Sequence, residues 1–223
     1  MRSFSRYLLA GLLMLGLMTG CGGDDDGGST GSNPQGSELS QLQLTMPTAL
    51  SGNNDPGAQV AAGFITQFNA LAESFRGYFT PPSGAIKESV PTLASDDIWT
   101  WTQGSQTWVL TYQESASNRQ WTLKVNNETL MEAYELTDGS YGYFNIYDLS
   151  ADELIFHWEW QTGPANSISY LMESDYMKLT VDVNGNGSGT INYYESNTLA
   201  FECNWTTSGG SWTDYRTNDG GNW

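Results

Sequence analysis

The sequence predicts a mainly β protein: an antiparallel meander of about ten strands, curled into a half-barrel or barrel, with one N-terminal amphipathic helix packed on it. Three observations carry this. From about residue 97 to residue 223 apolar and polar residues alternate with a period of two. The alternating runs are separated by short clusters of Gly, Asn, Asp and Ser, the residues of tight turns. One stretch ahead of them, about 56–77, keeps the three- and four-residue spacing of a helix.

The helix starts at Asp55-Pro56, an N-cap residue followed by proline at the first helical position. Val60, Phe64, Phe68, Leu71 and Phe75 follow at steps of four and three, with Ile65 and Ala72 beside them. Gly77 is expected to end it, and Pro81-Pro82 forbids resumption. The polar face, Gln59, Gln67, Asn69 and Glu73, lacks the Lys and Arg of membrane-surface helices, so the apolar face is expected to pack on the sheet. Ahead of the helix, Leu39, Leu42, Leu44 and Met46 mark a lead-in segment with one short strand at most.

In the meander, Trp99 and Trp101 alternate with Thr100 and Thr102, and Trp108, Leu110 and Tyr112 with Val109, Thr111 and Gln113. Trp121-Leu123-Val125, Phe156-Trp158-Trp160, Met177-Leu179-Val181-Val183 and Leu199-Phe201-Cys203-Trp205 continue the pattern. The turn signals are Gly104-Ser105, Ser117-Asn118, Asp138-Gly139, Gly163-Pro164, Asn184 to Gly187 and Ser208 to Gly210. An aromatic face inward and a Thr-rich face outward is the one-sided burial that antiparallel sheets permit. Gly189 to Asn197 aligns with Gly210 to Asn218, a glycine-aromatic hairpin pattern that resembles repeats of the MORN type over two units; no function is carried over from it. A long meander must hide its edges, by closing into a barrel or by curling around the helix, and the second uses the 56–77 helix.

Ahead of the domain, assigned to 38–223, lie two shorter regions. Met1–Gly20 carries Arg2 and Arg6, an apolar run from Tyr7 to Met18, and the small residues Thr19-Gly20. The run is too short for a hydrocarbon core of about 30 Å, which needs roughly 20 helical residues, and it has the layout of a secretory signal. Met18-Thr19-Gly20-Cys21 resembles the lipobox of bacterial lipoproteins. The resemblance implies cleavage before Cys21, lipidation of Cys21, and a bacterial cell-envelope protein held to the membrane by its N-terminal lipid. Gly22 stands where an Asp would resemble an inner-membrane retention signal, and Asp24-Asp25-Asp26 resembles the acidic export signals of some surface lipoproteins, so outer membrane or cell surface is favoured over inner membrane. Residues 21–37, rich in Gly, Ser and Asp, then read as a flexible linker.

Composition narrows the partners. The 223 residues carry a net charge of −17; removal of Met1–Gly20 takes two arginines and no acid, leaving about −19. Such a surface repels phosphate backbones, so no nucleic-acid partner is expected. Of the two cysteines, a lipidated Cys21 leaves Cys203 without a disulfide partner. Cys203 alternates inward with Phe201 and Trp205 and reads as a small buried residue.

The residue patterns that carry chemistry are few. Asp182, Asn184 and Asn186, with Gly187, match the first half of an EF-hand calcium loop. Position twelve is Tyr193 instead of Glu, and the same residues also read as an Asn-Gly hairpin turn. No cofactor is otherwise expected. His157 is the sole histidine and falls among polar neighbours on the solvent side of its strand. Acidic pairs such as Glu132 with Glu135 and Glu173 with Asp175 would serve glycoside hydrolysis only at a set separation across a cleft.

Nine Trp and twelve Tyr remain. The first functional reading is non-enzymatic binding of an apolar or amphiphilic ligand, or of an envelope partner, with Phe64, Phe68, Trp101, Trp108, Trp121, Trp158 and Trp160 lining a space between helix and sheet. The second is a glycan- or protein-adhesion module that presents Tyr143, Tyr147 and Tyr194 outward. A hydrolase built on paired carboxylates is the third.

Overall fold

The computed structural model describes residues 39–89, 95–151 and 153–223. The signal-like segment, Cys21 and the linker lie outside the described residues. The fold is mainly β: the described residues form one antiparallel sheet of thirteen strands in strict sequence order. They are β1 (Ile86–Ser89), β2 (Ser95–Gln103), β3 (Gln106–Glu114), β4 (Asn118–Val125), β5 (Glu128–Leu136), β6 (Tyr141–Asp148), β7 (Glu153–Thr162), β8 (Ile168–Ser174), β9 (Met177–Val183), β10 (Gly189–Glu195), β11 (Thr198–Trp205), β12 (Gly210–Asp214) and β13 (Asp219–Asn222).

Three expectations are corrected. Among the described residues there are thirteen strands, not ten, because β5 and β6 carry Tyr on their outer face and β8 carries Leu171 there, which blurs the apolar alternation. The sheet is open and not closed into a barrel: among the described residues β1 pairs only with β2 and β13 only with β12. Both edge strands are four residues long, which leaves little unpaired backbone for another chain to add to. The helix, α1 (Pro56–Phe75), is not N-terminal either, since residues 39–54 precede it as an ordered, strand-free segment.

α1 forms where the sequence places it. Asp55 caps it, Oδ1 accepting from the N–H of Gly57 at 2.9 Å and of Ala58 at 3.3 Å. The helix ends at Phe75, and a 3₁₀ turn, Arg76–Phe79, continues past the expected stop at Gly77. Its buried stripe is Ala58, Ala61, Ile65, Phe68 and Ala72. That stripe is rotated from the expected one: Phe64, Leu71 and Phe75 flank it and Val60 is 39% exposed. Three alanines let the helix backbone approach the sheet closely, while the larger rings splay to either side.

The helix crosses the strands rather than following them. Gly57 lies under Trp212 of β12, where an added Cβ would come within 2.0 Å of the indole. At the other end Phe79 meets Trp121 of β4 edge-on at 5.8 Å. Eight inter-strand steps of about 4.8 Å make about 38 Å, close to the rise of twenty α-helical and four 3₁₀ residues, about 30 and 8 Å. One helix thus covers the inner face from β4 to β12.

The preceding segment covers what the helix leaves. Leu39, Leu42, Leu44 and Leu50 are buried. Its backbone pairs with side chains instead of a strand: Leu44 donates to Asn69 Oδ1 and accepts from Asn69 Nδ2, both at 2.8 Å. Tight hairpins join most of the strands from β2 onward. Two of them turn on Asn126-Asn127 and Ser196-Asn197, with φ of 51° and 73° and of 46° and 66°, the backbone of type I′ turns.

Candidate functional site

The seven rings expected to line a ligand space all touch the hydrophobic core, but at different places. Trp108, Trp121, Trp158, Trp160 and Phe68 are buried; Phe64 and Trp101 are half-buried. Phe68 stacks on Trp158 at 3.7 Å, Phe64 on Tyr193 at 4.6 Å, and Trp101 on Trp108 at 5.9 Å. Trp121 packs between Phe79 and Tyr112. Trp160 lies over Gly142 of β6 and donates its indole N–H to the Gly139 carbonyl at 3.1 Å. The structure brings Phe68 and Trp158 together under the middle of α1, sets Phe64 against Tyr193 of β10, and spreads the four other tryptophans over β2, β3, β4 and β7. The indole N–H groups of Trp108, Trp121 and Trp158 find no acceptor among the described residues.

The outer face gathers a different set. Tyr134 of β5 and Tyr143 of β6 are direct cross-strand partners, their rings 5.8 Å apart and 16° from parallel. Tyr141 stands 6.3 Å from each, and His157 of β7 lies 6.3 Å beyond Tyr143. All four are half-buried, because outer-face rings on adjacent strands shield one another's flanks. Alternation places them here: residues 134, 141, 143 and 157 are out of phase with the inward Ala133, Phe144 and Trp158.

Polar groups edge the row. Tyr147 donates its hydroxyl to Glu132 Oε2 at 2.9 Å, and Asn145 Oδ1 lies 2.6 Å from His157 Nδ1. Glu159 Oε2 lies 3.4 Å from His157 Nε2. Burial raises the Tyr141 and Tyr143 hydroxyls above the ordinary tyrosine range, with the charges of Glu159 and Glu132 adding to it. Burial also raises Tyr147, reinforced by its bond to Glu132. These phenols therefore stay protonated donors at neutral pH. Of the expected outward rings, Tyr143 and Tyr147 belong to this cluster, while Tyr194 lies apart on β10 beside Lys178. Tyr134 and Tyr141 escaped sequence reading; the Tyr-Gly-Tyr run of 141–143 is the signal that was there to find.

The remaining candidates fall elsewhere. Asp182 accepts from Ser169 across the β8–β9 pair, while Asn184 and Asn186 hold Ser188 at 3.0 and 2.7 Å, so the two asparagines close the β9–β10 turn. Among the described residues no group of three or more His, Cys, Asp or Glu side chains is placed to hold a metal ion. Glu132 is exposed on the outer face and Glu135 is wholly buried on the inner one, so the sheet separates that pair. Cys203 is buried, its thiol pushed up to about 12 by burial first and then by the charges of Asp55 and Glu202.

No protein-family model matches this chain, and no curated protein matches it significantly. Fold and outer face together define a class: a single-sheet antiparallel meander, backed by one crossing helix, with a tyrosine row on its uncovered side.

Proposed function

We propose that this is a lipid-anchored envelope protein that binds a glycan, without catalysis, along its outer tyrosine row. The observation that carries the reading is the cluster of Tyr134, Tyr141 and Tyr143, three rings within 6.3 Å of one another on the face that α1 does not cover. Tyrosine offers large contact area with few rotatable bonds and one polar tip, which suits recognition surfaces. Sugar rings present C–H faces to aromatic planes and hydroxyls to the groups at the rim, here Glu132, Asn145, His157 and Glu159. Attachment through Cys21 and the 21–37 linker would hold this face at the outer membrane or cell surface. Among the described residues no helix is long and apolar enough to cross a membrane.

Affinity electrophoresis through gels containing a panel of polysaccharides tests the reading. Retardation of the wild type by at least one polysaccharide, lost in Tyr134→Ala and Tyr143→Ala, is expected; no retardation across the panel rejects it. The anchor has its own test: Cys21→Ala should release the protein from membranes, and unchanged retention would refute lipidation.

One observation favours a second reading, an amphiphilic guest on the inner face. The indole donors of Trp108, Trp121 and Trp158 have no acceptor among the described residues, and a buried donor without a partner is costly. A guest with acceptor groups would satisfy them once α1 lifted. Native mass spectrometry of the purified protein separates the two: a stoichiometric lipid adduct supports the guest, a clean apo mass the outer row.

A further inference from the structure

We infer that an open crevice beneath the 39–50 segment is a binding site for a short neutral saccharide. The crevice has a volume of about 450 Å³ and lies between that segment, the β7–β8 turn and the facing ends of β8 and β9. That volume is within the range of ligand clefts, about 300–1,000 Å³. It is on the opposite side of the sheet from the tyrosine row, and its case is independent of that row.

Its lining has a consistent chemistry. Leu44, Ile168, Val183 and the Tyr170 ring give apolar walls. Gln41, Thr45, Thr162, Asn166 and Ser167 supply amides and hydroxyls, and among the described residues no charged side chain takes part. In a chain of net charge −17, a lining without a carboxylate or ammonium selects against ionic ligands. The hydroxyls of Thr162 and Ser167 donate to the carbonyls of Ser140 and Pro164 at 3.3 and 2.9 Å. Their oxygens therefore remain as acceptors. Gln41 accepts from Tyr170 through Oε1 at 3.2 Å and keeps its amide N–H₂ as donor. Apolar walls with both donors and acceptors between them match a pyranose, which has C–H faces and a belt of hydroxyls.

The rim is built in advance. Ala165 and Asn166 hold φ of 56° and 59°, a left-handed backbone that asparagine tolerates but that alanine adopts only when its surroundings impose it. The Ala165 carbonyl packs on Gly185, where a Cβ would come within 2.0 Å, so the β9–β10 turn braces the β7–β8 turn.

The test is a titration of the ¹⁵N-labelled full chain with cellobiose, maltose and N,N′-diacetylchitobiose, with glucuronate as the charged control. Saturable amide shifts at Thr45, Gly163, Asn166 and Ser167 are expected with at least one neutral sugar. Isosteric Thr45→Val and Thr162→Val should each weaken it about five- to tenfold, and Tyr143→Ala should leave it unchanged. The inference is overturned if none of the three sugars shifts those amides, if glucuronate binds as tightly, or if Tyr143→Ala abolishes the shifts.

Discussion

Ser40 donates its backbone N–H to Oε1 of Glu135 at 2.9 Å, joining two residues 95 apart in sequence. The Ser40 hydroxyl donates to the same oxygen, and Arg119 Nη2 stands 3.1 Å from Oε2. Glu135 is the one fully buried charged side chain among the described residues. A buried carboxylate persists only if its oxygens are occupied and its charge is matched, and this one ties the 39–50 segment to the inner face of β5. Glu135→Ala removes acceptor and charge together and should destabilise the protein by about 3–5 kcal/mol. Glu135→Gln keeps an acceptor for Ser40 and should fall between that variant and the wild type. Urea unfolding midpoints give the order; a near-neutral Glu135→Ala would show that the clasp contributes nothing to stability.

Phe68 and Trp158 are the centre of the packing between α1 and the sheet. Their rings stack at 3.7 Å, Trp158 also lies 6.0 Å from Phe144, and neither Trp158 nor Phe144 has any exposed surface. Trp158→Ala should cost about 3–5 kcal/mol by lost burial and cavity formation. A double-mutant cycle with Phe68→Ala should show coupling of about 0.5–1.5 kcal/mol beyond the two single effects. Additive losses would mean that the rings share a core without interacting.

The period-two runs of 99–112, 121–125 and 156–160 exposed the inner face directly, because strands buried on one side record that burial in their alternation. β5 and β6 were harder to see. Their outer positions are Tyr134, Tyr141 and Tyr143, aromatic residues whose rings cluster with one another, so inside and outside carry similar hydropathy. The Asn126-Asn127 turn was hidden for a different reason: it reaches positive φ without glycine, which asparagine tolerates better than most residues. Glu135 is invisible to pattern reading, since a lone acid in a strand reads as solvent-facing until Ser40 and Arg119 are brought to it. The same holds for the crevice, whose lining joins residues 41–45, 162–170 and 183.

Glycine and tryptophan share space at several places along the sheet, most closely at three of them. An added Cβ would come within 2.3 Å of the Trp160 indole at Gly142, 2.4 Å of Trp205 at Gly189, and 2.1 Å of Trp223 at Gly210. In the first two the indole lies flat enough on the strand to reach a turn carbonyl, Trp160 to Gly139 and Trp205 to Gly187, each at 3.1 Å. Gly142→Ala must displace Trp160 or the Tyr134 carbonyl, 2.8 Å away, and should cost about 1–3 kcal/mol. Thermal unfolding measures it. Gly63→Ala, with nothing within 4 Å of the added methyl inside α1, is the control and should be neutral or stabilising; equal effects at both positions would deny the indole any role.

Cys203 makes stability fall with alkali. Its thiol is buried beside Asp55 and Glu202, and the folded protein holds the proton up to about pH 12, against an ordinary value of 9.0. Below pH 9 folded and unfolded chains both keep that proton, and the folded state has its full advantage. Between 9 and about 12 the unfolded chain releases it while the folded chain does not, so stability declines as pH rises. Tyr170, pushed up to about 12 by burial, adds the same sign in the upper part of that window. Urea midpoints of the wild type should therefore drop more steeply from pH 9 to 11 than those of Cys203→Ala, which keeps Tyr170 but has no thiol to titrate. Parallel slopes for the two proteins would mean that the Cys203 thiolate forms as readily in the folded chain as in the unfolded one.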